Sequence, residues 1–251
     1  MGTSQSSFGP GGKSPLVPPW ADDTPEEALP DAQNRRYSPY RQALGRAASN
    51  GSTSDFKKAV GYYAKSSSGG STAAVRRLGS TTSAGSQLFG LLTNGTVTVT
   101  GTETINLDSL NGLPAEIAIS RIAQSLTTED GDSEKIKFAM SQALAEALEG
   151  METFDAQSIT DEIIVNTMIN YLSENILLQM IMDSRYAFNK AEAFTQSIRT
   201  ENTLRELIHV VVDKHMANRL SNNIRLITQD QFKEIQRQTI IDVWTEWEDY
   251  V

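Results

Sequence analysis

The richest apolar run of the chain, residues 163–182, constrains the fold more than any other feature. Asn166, Thr167, Asn170, Ser173, Glu174, Asn175 and Gln179 interrupt it too often for a membrane span. Its apolar residues fall on several helix faces instead of one stripe, which predicts a central buried helix over about 160–183. Other helices must then cover it. One starts at Asp132 or Ser133, repeats Ile136, Met140, Ala143, Leu144, Ala147 and Leu148 at intervals of three and four, and stops at Gly150. Pro114, at a first helical turn, precedes Ile117, Ile119, Ile122 and Leu126. Residues 202–220 carry Leu204, Leu207, Ile208, Val211 and Val212, and residues 229–250 carry Phe232, Ile235, Ile240, Ile241, Val243, Trp244 and Trp247. Helices of this number and length imply a bundle. No fixed-period repeat is present.

Upstream of Leu110 the texture changes. Ser54, Ser71 and Ser83 can cap three short helices reaching Lys65, Leu78 and Leu92, and residues 96–105 alternate Val and Thr as an extended segment. Residues 1–52 are rich in Gly, Ser, Pro, Asp and Arg, and their few large apolar residues show no period, so this stretch is expected to be mobile when alone. The expected fold class is mainly α, a disordered Gly/Pro/Ser-rich amino-terminal tail followed by an irregular helical bundle. The expected divisions are a flexible tail (1–52), a small weakly packed helical and extended segment (53–109) and an acidic helical bundle (110–251).

Charge bears on partners. Residues 1–100 carry 10 Lys/Arg against 6 Asp/Glu, and residues 101–251 carry 12 against 25. An acidic domain repels nucleic-acid phosphates, so direct nucleic-acid binding by the carboxy-terminal part is not expected. With no cysteine there are no disulfides, thiolate metal sites or cysteine nucleophiles. A reducing cytosol and no membrane are the expectation, since no secretory signal is visible either.

Candidate chemistry is sparse, and no catalytic residues and no cofactor are assigned. Gly11-Gly12-Lys13-Ser14 imitates the end of a phosphate loop, but its leading Gly is misplaced and no strand and helix flank it. His209 and Asp213 stand four apart on one predicted helix with His215 two further on, yet a zinc site wants three or four ligands, so no metal is assigned. Glu146, Glu149 and Glu152, and Glu246, Glu248 and Asp249, read as solvated faces. Trp244, Trp247 and Tyr250 share a stripe that reads as core, with partner docking as the alternative. Arg35, Arg36, Arg41 and Arg46, with Tyr37 and Tyr40 between them, have the composition of a small nucleic-acid patch or of a surface that binds the acidic domain.

The amino terminus carries the strongest functional signal. Gly2 allows removal of the initiator Met and would leave an unhindered amine with a pKa near about 8, a nucleophile close to neutral pH. Gly2 with Ser6 also fits the short myristoylation pattern. The run MGTSQSSFGPGG, followed by PLVPPWADD, resembles the start of the QatB family, a component of the Qat anti-phage systems of bacteria. The resemblance is strongest over residues 2–23. It implies operon partners: an ATPase, a protein similar to the deazapurine-synthesis enzyme QueC, and a protein similar to TatD nucleases. It further implies that the QueC-like partner joins a 7-deazaguanine group to Gly2. Thr3, Ser4, Gln5 and Ser6 would then contact the modifying enzyme, and Pro18, Pro19 and Trp20 would form a second docking element. A passive scaffold with an unmodified or lipidated terminus, and an acid–base enzyme using helical carboxylates, are the competing readings.

Overall fold

Ser52 opens the first clear helix signal: its side chain accepts the Asp55 backbone N–H, one of the donors that a helix start leaves unpaired. The computed structural model describes residues 14–22, 24–26, 28–99, 103–187, 194–220 and 223–251. The protein is mainly α. In chain order the described residues form α1 (Ser38–Asn50), α2 (Thr53–Tyr62), α3 (Gly70–Arg77), α4 (Gly79–Asn94), β1 (Thr96–Val99), β2 (Glu103–Asn106), α5 (Ala115–Ser125), α6 (Ser133–Ala147), α7 (Asp161–Ser184), α8 (Phe194–Leu220) and α9 (Gln229–Glu248). α2 runs on into one π-helical turn, Tyr63–Ser67.

The backbone clusters into two units. The first comprises Met1–Gly79, Ile176–Val211 and Gln238–Val251, the second Ser80–Asn175 and Val212–Arg237. By sequence the first unit has 14 Lys/Arg against 14 Asp/Glu and the second 8 against 17, so the second holds the whole excess of nine negative charges.

In the first unit α1 is a helix that showed no period in the sequence. Its buried face is Tyr40, Ala43, Leu44, Ala47 and Ala48. Four small or medium residues make a helix face that can approach a neighbour closely without looking like an apolar stripe. Gly51, in the left-handed region at φ 68°, ends it by donating its N–H to the Ala47 carbonyl. Tyr40 sits edge-on to Tyr63 at 5.0 Å, and Tyr63, Trp244 and Trp247 continue the aromatic chain. Trp244 and Trp247 are therefore core. The Trp244 indole N–H donates to Ser68 Oγ at 2.7 Å.

In the second unit α4 packs closely because Gly85 and Gly90 lack side chains: a Cβ at Gly85 would overlap Gln236 Oε1 and stand 2.7 Å from the Tyr171 ring. Phe89 and Phe232 stack at 4.1 Å with rings 4° apart. The Tyr171 hydroxyl donates to the Thr81 carbonyl at 2.8 Å and Gln236 Nε2 to the Thr82 carbonyl at 2.9 Å, so these two buried donors are paired with carbonyls of α4. Arg225 ties the loop before α9 to Asp161 Oδ1 and to the Thr93 and Ile159 carbonyls. The alternating Val and Thr segment is an antiparallel hairpin that pairs Thr96 with Asn106 and Val99 with Glu103. Helix boundaries elsewhere follow the sequence pattern, except that Ser52 and not the expected Ser54 caps α2, that α4 begins four residues ahead of the expected cap Ser83, which lies inside the helix, and that α8 begins eight residues ahead of the expected Asn202.

Candidate functional site

Residues 14–22, read from sequence as part of a mobile tail, are held against the first unit at both ends. At one end Arg36 Nη1 donates to the Ser14 carbonyl at 2.7 Å and Nη2 to the Pro15 carbonyl at 3.0 Å. At the other, Arg76 forms a two-pronged ion pair with Asp22. Between them Val17 and Ala21 pack on Ala73 of α3, with Leu16 and Leu29 against the same cluster. Gly69 makes the close approach possible. It stands at φ 86°, and a Cβ there would lie 2.7 Å from both Leu16 methyls. A one-turn bend from the Pro18 carbonyl to the Ala21 N–H at 3.0 Å turns Pro19 and Trp20 outward. Both are exposed, Trp20 by 50%.

Behind this strap lies a cavity of about 210 Å³. Pro15, Leu16, Pro18 and Trp20 wall one side; Arg36, Tyr37, Tyr63, Gln179, Met182 and Asp183 are among the residues facing them. Asp183 Oδ2 accepts the Tyr63 hydroxyl at 2.8 Å and Gln179 Nε2 at 3.3 Å. A carboxylate in the last turn of α7 meets the negative end of the helix, so it needs such donors. Arg41 Nε donates to the Asp183 carbonyl at 2.8 Å and Ser184 Oγ to the Ile181 carbonyl at 2.6 Å, both among the carbonyls that a helix end leaves without intrahelical partners. The Tyr40 hydroxyl adds a bond to the Met180 carbonyl at 2.7 Å.

The arginine cluster of the sequence separates into distinct roles. The Arg36 and Arg41 guanidiniums stand 4.9 and 4.8 Å from the Tyr37 ring centroid. Arg36 is 3% exposed, while Arg35 and Arg46 face solvent and Arg46 pairs with Asp55. Two of the four arginines, with both tyrosines buried, are thus spent on structure, which removes the composition-based case for a nucleic-acid patch. Burial pushes the Tyr37 phenol up to about 12, with the Asp183 charge adding to the rise and Arg36 opposing it.

Of the sequence-derived site residues, Gly2, Thr3, Ser4, Gln5 and Ser6 lie outside the described residues. The structure brings Pro18, Pro19 and Trp20 together on the cavity rim. His209 and His215 are half-buried on α8, and Asp213 is exposed. Among the described residues no group of three or more His, Asp and Glu could hold a metal. Glu146, Glu149 and Glu152 are exposed, and Glu246 accepts the Tyr250 hydroxyl at 3.1 Å. Sequence reasoning missed Asp183 and Arg76. Asp183 had one visible sign, a charge in the last turn of an apolar helix; Arg76 had none.

The family profile described as "Qat anti-phage system associated protein QatB" matches residues 69–247, more than half of the chain. This chain belongs to the QatB family. The match covers the helical body of this QatB protein and not residues 2–23, where the sequence resemblance was strongest. Membership makes it a component of the Qat anti-phage system. No curated protein and no solved structure matches the chain. Among the described residues no helix is long and apolar enough to cross a membrane.

Proposed function

We propose that this QatB protein is a non-enzymatic, cytoplasmic subunit of the anti-phage complex, whose Gly2 amine, exposed by removal of the initiator Met, accepts a 7-deazaguanine-type group from a QueC-like partner. The helical body docks the ATPase subunit and, in the full assembly, a TatD-like nuclease. Neither direct nucleic-acid binding nor a membrane has a part in this reading. The observation that carries it is the anchored strap. Arg36 and Arg76 fix residues 14–22, the first of which stands twelve residues after Gly2, and leave Pro19 and Trp20 facing outward. A chain of that length spans at most roughly 40 Å. Docking a partner on Pro18, Pro19 and Trp20 would therefore keep Gly2, with Thr3, Ser4, Gln5 and Ser6 as contacts, within reach of a pocket on the same partner. A half-exposed Trp flanked by prolines has the composition of an interface anchor.

Intact-mass and peptide mass spectrometry of the amino terminus tests the proposal, on protein made from its native operon and on protein made alone. A deazaguanine-sized addition on Gly2 that requires the partners is the expected result. A plain glycine in both samples would leave a passive scaffold, and an acyl chain on Gly2 would make the protein a membrane-tethered adaptor.

A further inference from the structure

Arg36 is among the residues that line the strap cavity, yet the hydrogen-bond acceptors of its guanidinium are all neutral: the Ser14 and Pro15 carbonyls and the Tyr37 hydroxyl. Its Nε–H is buried with no acceptor. A cation 97% removed from solvent and paired with no carboxylate among the described residues is an unbalanced charge, which a folded protein normally avoids. The Tyr37 hydroxyl accepts from Arg36 and donates to no described residue, so a second hydrogen sits beside the first. Asp183, the carboxylate among the lining residues, already accepts Tyr63 and Gln179. Much of the remaining lining is apolar or aromatic, Trp20, Tyr37, Pro15, Pro18 and Met182 among it, with Ser14, Ser68 and Gln179 as its neutral polar members.

We propose that this cavity binds a small flat aromatic acid, its anionic oxygens meeting the charge of the Arg36 guanidinium and the Tyr37 hydroxyl and its ring lying between Trp20 and Met182. The volume of about 210 Å³ admits one or two fused rings and no more. The Tyr37 phenol, held up to about 12, stays protonated and able to donate throughout the physiological range. The site follows from the cavity alone and does not depend on any modification of Gly2.

Indole-3-acetate, its uncharged amide indole-3-acetamide and the cation tryptamine make a matched probe set. Each is titrated into the full chain while the indole N–H resonances of Trp20, Trp244 and Trp247 are followed by NMR. The expected result is saturable movement of the Trp20 signal by the acid, with a Kd of about 1 mM or tighter, usual for a ligand this small. The acid should bind at least about tenfold more tightly than the amine, with the amide between them. Met182→Trp, which fills the cavity, should abolish the shift, and Tyr37→Phe should weaken the acid about three- to tenfold while leaving the amine unchanged. Equal binding of acid and amine, a Trp20 shift that survives in a folded Met182→Trp protein, or no saturation at about 10 mM acid would each overturn the site. If Met182→Trp does not fold, the acid-to-amine ratio in the wild-type chain and Tyr37→Phe decide the matter.

Discussion

Arg76 grips Asp22 with two parallel hydrogen bonds, Nε to Oδ1 at 2.8 Å and Nη2 to Oδ2 at 2.7 Å, and so ties a coil segment to α3 across 54 residues of sequence. The bond from Arg76 first, with the Thr24 N–H and the Arg76 charge in support against the cost of burial, holds the Asp22 carboxyl below 3.8. A depressed carboxyl contributes stability above its unfolded value, and that contribution is lost as pH falls through the folded value. The strap is therefore expected to stay closed at pH 5 and above and to loosen only below about pH 4. A carboxyl-carbon NMR titration should place the Asp22 midpoint below 3.8 in the wild type and near about 3.9 in Arg76→Ala. In that variant the free energy for opening residues 15–22 should fall by about 1.5–3 kcal/mol in hydrogen exchange at neutral pH, while exchange in the second unit stays the same.

High pH acts on the aromatic cluster. Tyr37 is pushed up to about 12, and Tyr40 and Tyr63 are raised well above their ordinary value, burial being the first cause in each case and the Asp183 charge the second. A group whose folded pKa is raised contributes stability that is complete below its unfolded value and is lost as pH climbs toward the folded one. Urea midpoints should therefore be flat up to about pH 10 and fall steadily from there to pH 12. Tyr37→Phe should make the fall shallower. A curve unchanged in that variant would exclude Tyr37 as a contributor.

Helices were readable where burial uses long side chains and obscure where it uses short ones. Ile136, Met140 and Leu144 announce α6 by spacing. Ala43, Ala47 and Ala48 bury α1 just as fully but contribute little hydrophobicity each, so α1 was hidden inside a tail-like composition. The strap was invisible for a related reason: it is held by one ion pair, two arginine-to-carbonyl bonds and a glycine, none of which has a period. Pro18, Pro19 and Trp20 stood out as residue types, and the cavity behind them depends on Asp183, about 160 residues later in the chain. No local pattern joins positions so far apart.

Two glycines of α4 offer a graded test of close packing. A Cβ at Gly85 would meet Gln236, fully buried and bonded to the Thr82 carbonyl, as well as the immobile Tyr171 ring. At Gly90 the nearest atoms it would meet all belong to the side chain of Gln229, a half-buried residue at the start of α9. Gly85→Ala should cost about 1–3 kcal/mol in chemical denaturation. For Gly90→Ala, Gln229 can swing aside, and the gain in helix propensity, up to about 1 kcal/mol, offsets most of the remaining strain. Equal losses at the two sites would mean that backbone crowding, and not the identity of the facing side chain, sets the limit.

Trp20 separates folding from function most cleanly. Half of its surface is exposed, and Arg36, Arg76 and the Val17–Ala21–Ala73 cluster fasten the strap it belongs to. Trp20→Ala should consequently change the denaturation midpoint of the isolated chain by no more than about 0.5–1 kcal/mol, the range for a partly exposed side chain outside the core. If the strap is a docking element, the same substitution should cost an interface anchor, about 2 kcal/mol or more, and weaken co-purification with the operon partners by about thirtyfold. Arg76→Ala provides the control, since it keeps the indole and frees the segment that carries it. Loss of partner binding in both variants would show that the indole must be presented from a fixed strap. Loss in Trp20→Ala alone would show that the side chain suffices. Full binding and an unchanged amino-terminal mass in Trp20→Ala would remove Trp20 from the partner surface altogether.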